Sequence, residues 1–107
     1  MSDFNLIIVT APDEEVAASI AKTIVEERLA GCVNIVKGIR SIYSWEGKTE
    51  DEPEVMMFIK TRKSLYKPLE RRLIDLHPYS VPEVICLELK DGSEDYFKWL
   101  RDVTVDI

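Results

Sequence analysis

The sequence has no glutamine, only two asparagines (Asn5 and Asn34) and a single histidine, His77. One imidazole excludes a histidine-rich metal cluster within the chain and leaves little scope for general-base catalysis. No Gly-rich phosphate loop and no serine in a nucleophile-elbow context are present, so the sequence predicts no enzyme. The two cysteines, Cys32 in GCVNIV and Cys86 in VICLEL, are spaced for neither a disulfide framework nor a zinc motif. They predict a reduced, cytoplasmic setting.

Basic residues are also in short supply. Fourteen Lys and Arg stand against 20 Asp and Glu, a net charge of −6. That balance disfavours nucleic acid and anionic membrane surfaces as partners. No apolar run approaches the roughly 20 residues that cross a bilayer. The opening MSDFNLIIVTAPDEE lacks the basic flank and cleavage site of a signal peptide. Scarce amides beside 32% charged residues form a pattern reported for proteins that work at high temperature.

What is present suffices for one core. At 107 residues with 46% hydrophobic content, the chain predicts a single folded domain. Residues 4–10, FNLIIVT, read as a strand buried on both faces. Asp13 is a candidate N-cap for a helix from Glu14, in which Val16, Ala17, Ile20, Ala21, Ile24, Val25 and Leu29 recur at helical spacing, with Gly31 as its stop. Residues 32–62 predict a long β-hairpin, with EGK and the acidic stretch after it as the turn. Apolar alternation changes phase near Gly38, which predicts a bulge. A second helix is expected from a Ser64 cap to Leu76, with Leu65, Leu69 and Leu76 inward and Leu73 helping. EVICLEL then reads as a strand, and a short helix follows Gly92-Ser93.

The order is that of a ferredoxin-like βαββαβ sandwich, an α+β fold with a long hairpin and a short C-terminal helix. Two helices cover one sheet face. Yet residues 6–9, 55–59 and 84–87 are apolar in both parities, so further subunits are expected on the second face. Closed symmetry allows a dimer or a trimer.

HPYSVPE, residues 77–83, holds the lone histidine. One reading is structural: His77 closes a helix and Pro78 prevents its continuation. The other is chemical: imidazole suits Cu(II), and Glu83 or the Tyr79 hydroxyl could lie close by. Cys32 fits a buried small hydrophobe better than a ligand. Glu46, Glu50, Asp51, Glu52 and Glu54 lack the spacing of a calcium loop and read as a solvated hairpin tip.

Three stretches in order carry a family resemblance: TAPDEE with VEERLAGCVNI, SIYSWEGKTEDEPEVMMFIKT, and HPYSVPEV followed by YFKWL. They resemble the CutA family of divalent-cation tolerance proteins along nearly the whole chain. The resemblance implies a PII-like homotrimer that requires no cofactor, with Cu(II) or another divalent metal ion as the ligand. Copper sites in some members use a cysteine just before the TAPD stretch and a histidine pair ahead of Pro-Tyr. Val9 and Leu76 stand at those positions here, which leaves His77, with Glu83 and Cys32 as candidate partners. Likeness to PII-type trimers implies a cleft between subunits, for which Tyr43, Trp45, Lys60, Arg62 and Tyr79 are the candidate lining. A small anionic ligand there, or a trimeric scaffold for protein interaction, are the alternatives to metal handling.

Overall fold

The computed structural model describes residues 3–107. Strand β1 spans Phe4–Ala11, helix α1 Glu14–Glu26, β2 Cys32–Trp45, β3 Lys48–Arg62, α2 Tyr66–Leu76, β4 Val84–Glu88 and α3 Glu94–Asp102. The result is an α+β fold with one four-stranded antiparallel sheet in the order β2-β3-β1-β4.

Asp13 caps α1 as expected, its carboxylate accepting from the Val16 N–H at 2.8 Å. The stop differs. The helix ends at Glu26, and Arg28 rather than Gly31 takes the left-handed conformation, with φ +62. This strain is tolerated because the Arg28 guanidinium donates to the carbonyls of Asp102 and Val103 at the C-terminal end of α3. Gly31 serves a different purpose. A Cβ there would overlap Leu100 Cδ1 and come within 3.1 Å of Val103 Cγ2. The missing side chain lets α3 seat on the α1–β2 junction.

The hairpin turn is only Glu46-Gly47, with φ of +50 and +78, the positive pair of a type I′ turn. The acidic stretch that the sequence assigned to the turn lies within β3 instead, where Glu50, Asp51 and Glu52 pair with Tyr43, Ile42 and Ser41. The bulge falls where the phase change put it, as a register shift between Val36 and Ile39 around Gly38. Beyond it, β2 and β3 leave the sheet. β1 pairs with β3 only from Val55 to Arg62, so among the described residues Lys48–Glu54 has β2 as its sole strand partner and projects as a two-stranded ribbon. Pro53 is tolerated along this free edge.

The second helix begins later than expected. Ser64 makes no cap; Lys63–Leu65 form a 3₁₀ turn that leads into α2 at Tyr66. Leu65, Leu69 and Leu73 are fully buried, while Leu76 is only partly so, which reverses the expected roles of the last two. Ser93 caps α3, accepting from the Tyr96 N–H.

The core lies between one sheet face and helices α1 and α2. Ile7, Val9, Met57 and Ile59 from the sheet meet Ala17, Ile20, Ile24, Leu69 and Leu73. On the opposite face, α3 covers one end only, stacking Phe97 on Phe4 at 4.6 Å. The remainder carries Leu6, Ile8, Met56 and Phe58 in cross-strand register, flanked by exposed Val36, Ile85 and Leu87 at 44%, 48% and 47%.

Gly31→Ala is expected to destabilise the chain by about 1–3 kcal/mol through overpacking against Leu100. A lowered guanidinium unfolding midpoint measures it, and an unchanged midpoint would show that α3 can shift aside freely.

Candidate functional site

His77 sits where the geometry of α2 ends. Its N–H closes the helix on the Leu73 carbonyl at 2.9 Å, and its backbone then turns extended, with φ −79 and ψ 138. The side chain is only 7% exposed. Both ring nitrogens are engaged. Nδ1 accepts from the Tyr79 N–H at 3.1 Å, so Nε2 carries the proton and donates to the Thr10 carbonyl at 2.7 Å. A metal ion could reach either nitrogen only by displacing a buried hydrogen bond.

Tyr79 extends this link. Its ring lies 4.7 Å from the imidazole, and its hydroxyl donates to Glu54 Oε2 at 2.7 Å. Glu54 is 8% exposed, contrary to the expectation of a solvated tip. The reason is positional: it pairs with Ile39 one residue beyond the end of β1, where residues 77–79 fold over it. Burial, and then the hydrogen bond to the Glu54 carboxylate, push the Tyr79 hydroxyl well above the usual phenol range. Tyr43 is raised too, by desolvation and then by Glu52, Glu50 and Glu54. Asp51 points elsewhere, in a two-bond pairing with Arg40 at 2.8 and 2.6 Å.

The candidate metal partners do not converge. Glu83 is exposed, and the Cys32 thiol meets Asn34 Oδ1 at 3.6 Å. Cys32 stands opposite Lys60 and Thr10 opposite Met56, four residues apart along β3, which is roughly 13 Å at strand rise. Among the described residues, no group of three or more His, Cys, Asp and Glu side chains could hold a metal ion. Cys86 is exposed on β4; partial desolvation and the Glu70 charge raise its thiol pKa, which keeps thiolate scarce.

The cleft candidates separate into two groups. Tyr43 and Tyr79 lie around Glu54, and Trp45 lies at the ribbon tip opposite Lys48. Lys60 and Arg62 lie at the other end of β3. Lys60 Nζ donates to Asn34 Oδ1 at 3.0 Å and sits 5.6 Å above the Tyr96 ring. Arg62 is a clamp for the C-terminal segment: it donates to Thr104 Oγ1 at 2.9 Å, to Asp106 at 3.2 Å and to the carbonyls of Arg101 and Thr104.

Sequence reading missed the Thr10–His77–Tyr79–Glu54 chain. Its one available signal was parity: Glu54 adjoins the apolar run Val55–Ile59, which marks it as the inner end of the acidic stretch. Thr10 gave none, since the backbone carbonyl is the acceptor.

His77→Phe would keep the ring volume and leave the Tyr79 N–H and the Thr10 carbonyl without partners. A loss of about 2–4 kcal/mol is expected in denaturant unfolding, and a loss under about 0.5 kcal/mol would refute the structural role. Alkaline pH probes the tyrosines. The Tyr66 hydroxyl, held by Glu70 at 2.6 Å and by burial, is pushed up to about 12. Both Tyr66 and Tyr79 are raised in the folded state, so their contribution is fully present below the unfolded value of about 10 and is lost as pH rises through the folded value. Unfolding midpoints between pH 9 and pH 12 should fall more steeply for the native sequence than for a Tyr66→Phe, Tyr79→Phe double variant.

Residues 5–103 match the family described as CutA1 divalent ion tolerance protein. The divalent-cation tolerance protein CutA of Thermus thermophilus is 46% identical over 100 residues, covering 94% of this chain and 97% of that protein. The human Protein CutA is 48% identical over 99 residues, and there the match spans 92% of this chain but 55% of the human protein. The crystal structure of CutA1 from Oryza sativa superposes with a TM-score of 0.94 at 42% identity, covering 97% of this chain and 95% of that one. Sequence match and backbone agree from β1 to the end of α3, and the chain belongs to the CutA1 family of divalent-cation tolerance proteins.

Proposed function

We propose that this chain acts as a non-enzymatic homotrimer in the tolerance of divalent cations, built as a ferredoxin-like subunit in a PII-like assembly. The observation that supports an oligomer is the half-covered sheet, and the family resemblance supplies the number three. Leu6, Ile8, Met56, Phe58, Ile85 and Leu87 form one contiguous apolar face that α3 covers at one end only. Leaving such a face in water costs about 25 cal/mol per Å² of apolar area. The projecting ribbon adds Ile42, Tyr43 and Trp45, each more than 40% exposed, as further surface for a neighbour. Relatives named for divalent-cation tolerance support the cellular role.

Metal binding is modest in this reading. The chain offers one imidazole, already holding two hydrogen bonds, and no thiolate beside it. Cu(II) contact at His77 therefore competes with the fold, and any tight site would need groups contributed by more than one subunit. The many charged residues and few amides support function at elevated temperature.

Two measurements test the proposal. Light scattering should give about three times the 12.3 kDa chain mass, and Phe58→Asp should shift it toward one chain by placing charge on the apolar face. A monomeric native mass would end the trimer reading. Calorimetric titration with Cu(II) near pH 7, beside a His77→Ala variant of unchanged oligomeric mass, tests the metal. Saturable binding lost in the variant makes His77 a ligand; no binding, or binding untouched by the change, removes the metal role from HPYSVPE.

A further inference from the structure

A groove of about 190 Å³ opens at the end of the sheet opposite the ribbon, lined by Asp3, Phe4, Arg62, Ser64 and Arg101. It is unusual for this chain in its sign. The protein as a whole carries −6, yet two guanidiniums line this groove against one carboxylate. Among the described residues, Asp3 makes no ion pair with either arginine, and its backbone carbonyl accepts from the Lys63 N–H at 2.7 Å.

The two arginines are in different states. Arg62 has a 16% exposed side chain and is fixed by the C-terminal segment, so its position is rigid. Among the described residues its one charged partner is Asp106, whose side chain is 89% exposed. In that ion pair the guanidinium donates to a carboxylate oxygen at 3.2 Å. Arg101 has no hydrogen bond or ion pair from its guanidinium among the described residues; it lies 5.2 Å above the Phe4 ring. Stacking on an aromatic face orients the planar fork while leaving its N–H groups available. The Ser64 hydroxyl, a further donor, makes no hydrogen bond among the described residues and is exposed.

A fixed arginine, a ring-stacked arginine and a hydroxyl around one small concavity form a donor set for an oxyanion, because guanidinium pairs with phosphate or carboxylate through two parallel N–H···O bonds. We propose that this groove binds a small oxyanion, a phosphate or carboxylate group, through Arg101, Ser64 and the remaining N–H of Arg62. The site is built within one chain, so it stands independently of the trimer and metal readings. Phe4 forms its apolar side, backed by Phe97 stacked on it at 4.6 Å, which suits a group carried on a small organic body as well as the free ion.

The test is calorimetric titration of the native protein with inorganic phosphate and, in a separate arm, with acetate, at constant ionic strength set by sodium chloride. Saturable binding of one anion per chain is expected, weakened about tenfold or more by Arg101→Gln and severalfold by Ser64→Ala. Phosphate binding without acetate binding assigns the site to phosphate groups; binding of acetate with equal or greater strength assigns it to carboxylates. Circular dichroism checks the fold of each variant, and Ser64→Ala, at an exposed position, remains informative if Arg101→Gln fails to fold. Absence of saturation in both arms, or binding unchanged in both variants, overturns the proposal.

Discussion

Strand β3 is the constraint on which the rest of the structure depends. Its fifteen residues do two things along one continuous backbone. From Val55 to Arg62 it pairs with β1, and from Met56 to Lys60 with β2 as well, and it supplies Met57 and Ile59 to the core. From Lys48 to Glu54 it has one neighbour and leaves the domain as a ribbon. Each polar feature takes its place from this division. Glu54 is buried because it sits at the boundary. Arg62 can clamp the C-terminal segment because it sits at the far end, opposite Phe4.

The bulge at Gly38 belongs to the same division. The register shift between Val36 and Ile39 occurs across from Glu54, so the hairpin bends where β1 ends. A straight hairpin would present one alternation throughout; the bulge resets it, and Tyr43 comes to the face that carries Glu50 and Glu52. The loop after α2 then closes over this corner. His77 ties the loop to the Thr10 carbonyl and Tyr79 ties it to Glu54. The imidazole therefore does structural work through both nitrogens, which explains why a motif that reads so readily as a ligand is held inward rather than offered to solvent. The same corner shows what family membership does and does not carry: it assigns the chain to the divalent-cation tolerance proteins, while both ring nitrogens of His77 are already engaged in hydrogen bonds.

The sequence by itself determined the elements and their amphipathic faces. Helical spacing from Val16 to Ile24 needs only local geometry, as does the Asp13 cap, and both are read within a few residues. The phase change at Gly38 and the double apolar parity of residues 55–59 are equally local signals, and they foretold the bulge and the open sheet face. Tertiary structure decided what local pattern does not encode. Arg28 rather than Gly31 ends α1 because carbonyls at the C-terminal end of α3 hold its side chain, a contact across 74 and 75 positions. His77 meets Thr10 across 67 positions, Tyr79 meets Glu54 across 25, and Arg62 meets Thr104 across 42. A hydrogen bond between distant residues depends on where the whole sheet places two backbones, to within a few tenths of an ångström. Residue type announces that a polar group needs a partner; only the packed fold selects which one it finds.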